Sequence, residues 1–338
     1  LIGSYLAGEW RYDSHYVDSD RLVRVATVFG DEVVTVSASA VAPVLIADVP
    51  TVTHAVRMFD ATAFATPFFA VEGDGYEEAE GVWFADEGWA DVIGTPLVAG
   101  TARLVDPATV LLSERTAERY FGSTQAAVGQ TITMDARRVL TVTGVFADAP
   151  ETSHIRPRIV ASWYGMSRIE PSWQRVNYVT YARLTDRAEL ASAQATLNQI
   201  GSAVADDERN FDRMVLQPVD AIHATESGSN LRYLMLVVLV LVLVIAAVNF
   251  VNLTTARRAE RTGEVGVRKA VGAPRSVLVW QFLGESLAIT SVAGVVGVGL
   301  TALGLPFAEA IAGRDVMPPS DVRWLVGLAY IGATVGVG

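Results

Sequence analysis

The segment Tyr233 to Val248 (YLMLVVLVLVLVIAAV) has no charged residue and almost no polar atom. With its flank to Leu253 it reaches the roughly 20 residues that cross a hydrocarbon core about 30 Å thick. A buried strand rich in Val and Leu fails on length, because strands usually run only about 5–6 residues. A chain that carries this segment is read as a membrane protein, and its other parts are placed relative to that helix.

A second span is expected from Ser286 to Leu305 (SLAITSVAGVVGVGLTALGL), bounded by Arg275 and Pro306. In it Ser286, Thr290 and Gly294, and likewise Ala293, Gly297 and Thr301, recur every four residues. Such small-residue rows let helices approach closely in lipid, where packing drives association; Gly is also simply commoner in membrane helices. Ala293, Gly294 and Gly297 are the candidate helix-packing residues. A third span opens near Val322. The uncharged stretch Leu1 to Gly8 runs into Glu9, Trp10 and Arg11, and reads as the end of an earlier span with Trp10 at the headgroup level. Since the chain starts at Leu1 and stops at Gly338 inside an apolar run, it is read as a fragment truncated at both ends.

Orientation follows from the residues between the two spans. Thr254 to Trp280 holds Arg257, Arg258, Arg261, Arg268, Lys269 and Arg275 against only Glu260 and Glu264, and short loops with that excess stay in the cytoplasm. The large region before Arg232 then lies outside. Of the 26 basic residues 9 lie beyond residue 231, and of the 37 acidic ones 6 do, so the first 231 residues carry a formal charge of −14. An acidic domain is a poor nucleic-acid partner, because release of counterions from phosphate needs clustered basic groups. There is no cysteine, hence no disulfide framework and no thiolate metal site.

The outer region has a local grammar. Asn177 to Leu184 (NYVTYARL) alternates like a strand, and Asp186 with Glu189 forms a capping box. The helix that follows turns Leu190, Leu197, Ile200 and Val204 one way, and Met214 to Leu216 returns as a strand, completing a βαβ unit. Leu22 to Phe29, a short helix around Ala40 to Ile46, and Val52 to Phe59 form a second. Between them, Val110 to Leu112 leads into Ser113 as N-cap of a helix with an Ala117, Tyr120 and Phe121 stripe, ended by Gly122. Thr131 to Met134 and Val139 to Phe146 flank a turn at Asp135 and Ala136, a hairpin. The acidic stretch Glu72 to Glu80 reads as a solvated loop.

These readings give an α+β extracytoplasmic domain of two βαβ halves, porter-like, with an inserted hairpin-rich subdomain, plus transmembrane α-helices. The expected division is residues 1–8 as the end of a first span, 9–231 as the outer domain and 232–338 as the membrane region. The last comprises spans at 232–253 and 281–305, a cytoplasmic segment at 254–280, an outer loop at 306–321 and a truncated span at 322–338.

Residues Thr255 to Ser286, TARRAERTGEVGVRKAVGAPRSVLVWQFLGES, resemble the signature cytoplasmic segment of FtsX-like permeases. Glu264, Gly266, Arg268, Lys269, Ala270, Gly272 and Ala273 match its first half, and Gln281, Phe282, Leu283, Glu285 and Ser286 its second. The region before it is similar to the MacB-like periplasmic core domain through EWRYDSHYVDSDRLVRV, GVWFADEGWADV, VLLSERTAERYFG, LTVTGVFADAPETSH and LQPVDAIH. One departure is Ser14 to Val17, where the family usually shows an Arg-Phe-His run.

The resemblance implies a bacterial inner-membrane, multi-pass ABC transporter permease with a periplasmic domain. It would dimerise or pair with another permease, contact membrane lipid, and dock on a cytoplasmic ABC ATPase through Glu264, Val265, Gly266, Val267, Arg268, Lys269, Gly272 and Ala273. Glu264 and Arg268, four apart, can pair on one helix face, while Val265, Val267 and Val271 offer apolar contact; charge that merely enforces topology is the competing reading. Gln281 and Glu285 are one turn apart at the membrane's cytoplasmic edge, where an ionisable group is functional, shielded, or simply in interfacial water. The only lysine is Lys269, followed by Ala270, so no P-loop Gly-Lys-Ser/Thr exists in the sequence. ATP and Mg²⁺ would be used by the partner, this chain binding no cofactor. Such permeases can expel material already outside, in some cases with a periplasmic adaptor or outer-membrane channel. The alternative is a signalling module that controls a periplasmic enzyme, as in cell-division members. An anchored enzyme is disfavoured: His15, His54, His154 and His223 have no metal-ligand spacing, there is no Gly-x-Ser-x-Gly elbow, and Asp86 and Glu87 are sequence neighbours, which on a strand face opposite ways.

Overall fold

The computed structural model describes residues 12–13, 15–16, 18–63, 67–71, 77–104, 106–150, 152–163, 170–205, 207–226, 229–260, 263, 267, 271 and 274–312. The chain separates into two compact units, with Tyr12–Glu226 forming the first and the residues from Ser227 onward belonging to the second.

In the first unit, four strands and two helices repeat a βαβ pattern twice. Strand β1 (Leu22–Phe29) is followed by two short strands, β2 (Glu32–Val34) and β3 (Ser37–Ala38), then helix α1 (Val41–Asp48) and β4 (Val52–Asp60). Far along the chain, β13 (Val176–Leu184) leads through α5 (Leu190–Ala203) to β14 (Arg213–Pro218). The sequence reading made each half a βαβ unit, and the structure interleaves them. The order is β14-β1-β13-β4, with every neighbouring pair antiparallel, so β1 and β4 run parallel with β13 between them, and β13 and β14 run parallel with β1 between them. This is the split βαβ arrangement. Each helix connection skips one strand position, which the partner half fills.

Residues 61–175 are inserted between β4 and β13. They supply β5 (Phe68–Val71), β6 (Glu77–Glu78), β7 (Val82–Ala85), β8 (Leu97–Gly100), β9 (Thr109–Ser113), β10 (Thr131–Met134), β11 (Arg138–Phe146) and β12 (Ile159–Ser162), with the short helices α2 (Trp89–Ile93), α3 (Glu114–Phe121) and α4 (Thr124–Ala127). The expected hairpin-rich subdomain is instead a continuation of the same sheet, in the order β4-β7-β12-β9-β11-β10-β5-β6. Two of its pairings, β7 with β12 and β9 with β11, are parallel, which hairpins cannot produce. The Glu72 to Glu80 stretch, expected as a loop, contains β6, which pairs with β5 in the register Phe69 to Glu77; residues 72–76 lie outside the described ones.

Local signals act as expected. Ser113 caps α3 by accepting the Thr116 N–H, and Gly122 closes it at φ 76, a left-handed conformation that costs a residue without a Cβ little. Asp135 and Ala136 both have positive φ, the geometry of a type I′ turn, whose twist matches that of the flanking strands. The Asp186 side chain accepts the Ala188 N–H, opening a 3₁₀ turn ahead of α5. The Glu189 carboxylate accepts from Ser192 Oγ at 2.7 Å, so Glu189 is engaged forward along the helix.

Alternation along the strands sorts side chains onto the two faces of the sheet. Val23, Val25, Ala182, Leu184, Met214 and Leu216 meet Val41 and Leu45 of α1 and Ala193 and Leu197 of α5. On the other face Leu22, Val56, Met58 and Tyr181 join Leu111, Phe146 and Val160 of the inserted strands around Trp89 and Ile93 of α2. One core cluster therefore spans three of the original four strands, β1, β4 and β13, and the insertion. The junction is fixed by Arg57 and Asp86. Arg57 Nε and Nη2 donate to the two Asp86 oxygens at 2.8 and 2.9 Å, the Arg57 N–H donates to Asp86 Oδ2 at 2.9 Å, and Arg57 Nη1 donates to the Ser39 carbonyl at 3.1 Å.

In the second unit, α7 (Ser229–Glu260) carries Tyr233–Leu253, which is long and apolar enough to cross a membrane; it follows α6 (Val219–Glu226) of the first unit. The next helix, α8 (Arg275–Ala312), begins ahead of the expected boundary at 281 and continues past Pro306, which was expected to end the span. Proline removes one backbone hydrogen bond without necessarily ending an apolar helix, since neighbouring groups can satisfy the freed carbonyl. Among the described residues of α8, Ser291–Phe307 is an apolar run shorter than a full span. The expected spans at 1–8 and 322–338 lie outside the described residues.

Asp86→Ala leaves the Arg57 guanidinium, 13% exposed, without its bidentate partner. Breaking a largely buried pair on one side costs about 3 kcal/mol. The urea midpoint of the full chain, followed by tryptophan fluorescence, is expected to fall accordingly, whereas Glu87→Ala at the exposed neighbour should leave it within error.

Candidate functional site

Two regions carry polar or apolar groups that a folded chain would not expose or bury without a partner. The first follows the apolar helix. Residues 233–253 of α7 are exposed on nearly all sides where their side chains are described, a surface that lipid or other helices must cover. After it, Val267 and Val271 are 65% and 84% exposed, and the Val271 N–H donates to the Val267 carbonyl at 3.1 Å. The two valines thus stand one helical turn apart with their side chains uncovered.

Of the other residues assigned to this segment by sequence, Glu264, Val265, Gly266, Arg268, Lys269, Gly272 and Ala273 lie outside the described residues. Gln281 and Glu285 lie on α8, with their side chains outside the description. On the same helix Gly294 is buried and Gly297 half-buried, while Ala293 is exposed; Thr301 Oγ1 donates to the Gly297 carbonyl at 2.9 Å. Two of the three predicted packing positions are therefore covered, and the third is not.

The second region lies in the first unit, where the first described residues are bound to a segment 141 positions later. Asp13 is fully buried with φ 59. Its N–H donates to the Thr152 carbonyl at 2.8 Å, its Oδ1 accepts the His154 backbone N–H at 2.9 Å, and the same oxygen lies 2.7 Å from His154 Nδ1. His154 Nε2 is 2.8 Å from the Tyr181 hydroxyl on β13. Beside this relay, Ser153 Oγ donates to the Ile155 carbonyl at 2.7 Å and so accepts from the Tyr16 hydroxyl at 2.6 Å. Burial raises the Tyr16 phenol well above the ordinary tyrosine pKa, against the lowering influence of the Ser153 hydrogen bond.

An Asp-His pair ending on a hydroxyl has the components of a nucleophilic triad, but Tyr181 is 1% exposed and no substrate could reach it. The relay joins segments; it does not present a nucleophile. Sequence reading missed it because it treated His154 only in terms of metal-ligand spacing, although His154 closes the LTVTGVFADAPETSH stretch that carried a resemblance. No cluster of three or more metal-ligating side chains occurs among the described residues.

The profile of the MacB-like periplasmic core domain matches residues 1–200, and that of the FtsX-like permease C-terminal region matches residues 236–338. The chain belongs to the MacB-like, FtsX-like permease family. Among relatives of this family, the macrolide export ATP-binding/permease protein MacB of Burkholderia cenocepacia is 25% identical over 254 residues, covering 71% of this chain and 34% of its own length. The ABC transporter permease YknZ of Bacillus subtilis is 37% identical over 108 residues, covering 32% of this chain and 24% of its own. The chain thus spans about a third or less of these curated relatives. A solved domain from Porphyromonas gingivalis shares the fold, with a TM-score of 0.50 at 24% identity over 60% of this chain and 92% of that one.

The raised Tyr16 pKa fixes the sign of an alkaline effect. Folded Tyr16 holds its proton more tightly than the unfolded side chain, so its stabilising contribution is complete below about pH 10 and is lost as pH rises toward the folded value. Urea midpoints of the full chain measured upward from pH 9 should decline, and Tyr16→Phe should make that decline shallower. An identical alkaline slope in the variant would contradict the burial assignment.

Proposed function

We propose that the chain is the membrane-spanning permease subunit of an ABC transporter in the bacterial inner membrane. It crosses several times, its large domain is periplasmic and residues 254–280 are cytoplasmic. An ABC ATPase outside these 338 residues hydrolyses ATP with Mg²⁺, and the coupling segment passes the motion through the helices to the periplasmic domain, for export or efflux. The subunit works as a homodimer or with a second permease, its membrane helices packing through the small residues around Gly294 and Gly297. A periplasmic adaptor and an outer-membrane channel are natural further partners for a family whose relatives include macrolide exporters.

The observation that supports docking best is the uncovered pair Val267 and Val271, one turn apart beyond an apolar helix and set among the Arg-rich residues that hold this segment in the cytoplasm. Exposed apolar residues a helical turn apart fit a groove on a partner protein. Glu264 and Arg268, spaced to pair on one helix face, would fix that helix against the motor.

The test is reconstitution of the full chain with its partner ABC ATPase. Val271→Asp, Glu264→Ala and Arg268→Ala are each expected to lower permease-dependent stimulation of ATP hydrolysis at least about fivefold, with the aspartate variant the most severe because it places a charge in an apolar contact. Stimulation at the wild-type level in all three variants would remove the docking assignment.

A further inference from the structure

Strand β14 ends the sheet of the first unit. It pairs with β1 from Arg213 to Pro218 and, among the described residues, with no other strand. Alternate residues of a strand send both of their backbone groups to the same side. The Leu216 N–H is directed to Gln194 Oε1 at 2.7 Å and not to β1, so Leu216 and, two residues before it, Met214 face the open side. A row of backbone groups on an open side is a template for another strand.

Gln194 of α5 occupies that template. Its Nε2 donates to the Met214 carbonyl at 3.0 Å while its Oε1 takes the Leu216 N–H, so one side-chain amide makes the two bonds that a residue of a parallel strand would make. Chemistry fixes which way the amide points, since only its oxygen accepts an N–H and only its nitrogen donates to a carbonyl. The same Nε2 also donates to Asn198 Oδ1 at 2.8 Å, one turn along α5. Ala193 and Leu197, buried with Met214 and Leu216 in one core cluster, hold the helix against the strand. The next residue on the open side is Pro218, which has no N–H. Gln194 and Pro218 together remove both donors that the row would present beyond Met214.

We propose that Gln194 is a plug that keeps β14 from accepting a further strand, and that the strand it excludes is β14 of a second copy of this chain. The edge is self-complementary about Val215. In an antiparallel pair centred there, Met214 of each copy faces Leu216 of the other as a hydrogen-bonded pair, and Arg213 faces Gln217, so no like charges meet. The position of this strand gives the plug its consequence. β14 runs directly into α6, and α6 is followed by the apolar helix α7, so an edge-to-edge pair would tie together the strands that lead into that helix in two copies. With the plug in place those strands stay separate. This assignment is independent of how residues 254–280 meet a motor.

The chain has no cysteine, so a single introduced thiol reports the contact. Val215→Cys would stand opposite its counterpart at the centre of the pair, a non-hydrogen-bonded position where Cβ atoms approach to about 4.5–5.5 Å, near the reach of a disulfide. In the full chain in detergent micelles under a mild oxidant, Val215→Cys alone is expected to give little disulfide dimer on a non-reducing gel. Adding Gln194→Ala, or Gln194→Asn, which keeps the amide but draws it back by one methylene, should raise the dimer yield at least about fivefold. Val33→Cys, at an exposed position of β2, is the comparison and should respond to neither Gln194 substitution. A yield left unchanged by either Gln194 variant, abundant dimer with Gln194 intact, or an equal rise at Val33→Cys would each overturn the plug.

Discussion

The outer unit depends on β13 being seated between β1 and β4. Until the insertion of residues 61–175 has folded back, neither split βαβ half has its central neighbour, and closing a loop of that length costs on the order of 4 kcal/mol in chain entropy. That cost is met on both edges of one strand. β13 pairs with β1 through Leu22 to Val25 and with β4 through Val52 to Met58, while Tyr181 and Ala182 enter the cores on opposite faces. The Arg57 and Asp86 pair joins β4 to the residue after β7, so the insertion leaves the sheet's edge already in register.

A consequence is that the insertion cannot move as a separate body without breaking strand pairs. Leu111, Phe146 and Val160 of the inserted strands share a cluster with Val56, Met58 and Tyr181 of the original four. Close-packed interiors transmit displacement instead of absorbing it. A continuous sheet thus makes this unit one stiff body, which a hinged subdomain would not.

What the sequence made legible is what neighbouring residues decide. The Ser113 cap, the Gly122 stop, the turn at Asp135 and Ala136 and the apolar helix Tyr233–Leu253 each depend on residues within a few turns of one another, and each stands where expected. The interleaving of the two halves, the parallel pairs in the insertion and the Asp86 partner of Arg57 depend on contacts across 29 or more positions, which periodicity and capping do not encode. Pro306 is a milder case: its local preference is to stop a helix, yet α8 runs on to Ala312, while the apolar stretch itself ends at Phe307. In the candidate sites, spacing drew attention to the small-residue rows, yet burial of the rows depends on which residues lie opposite, and there Gly294 and Ala293, adjacent in sequence, part company.

The relay at Asp13 shows why a polar junction suits the place where the chain begins this unit. Apolar contacts tolerate sliding, since their energy follows buried area and not direction. The hydrogen bonds of Asp13 to Thr152 and His154, and of Tyr16 to Ser153, fix position within a few tenths of an ångström. Asp13 Oδ2 has no hydrogen-bond partner among the described residues, a cost the junction carries even while seated. Holding the start of the unit by directional contacts, and the body of the sheet by packing, confines give to one defined point.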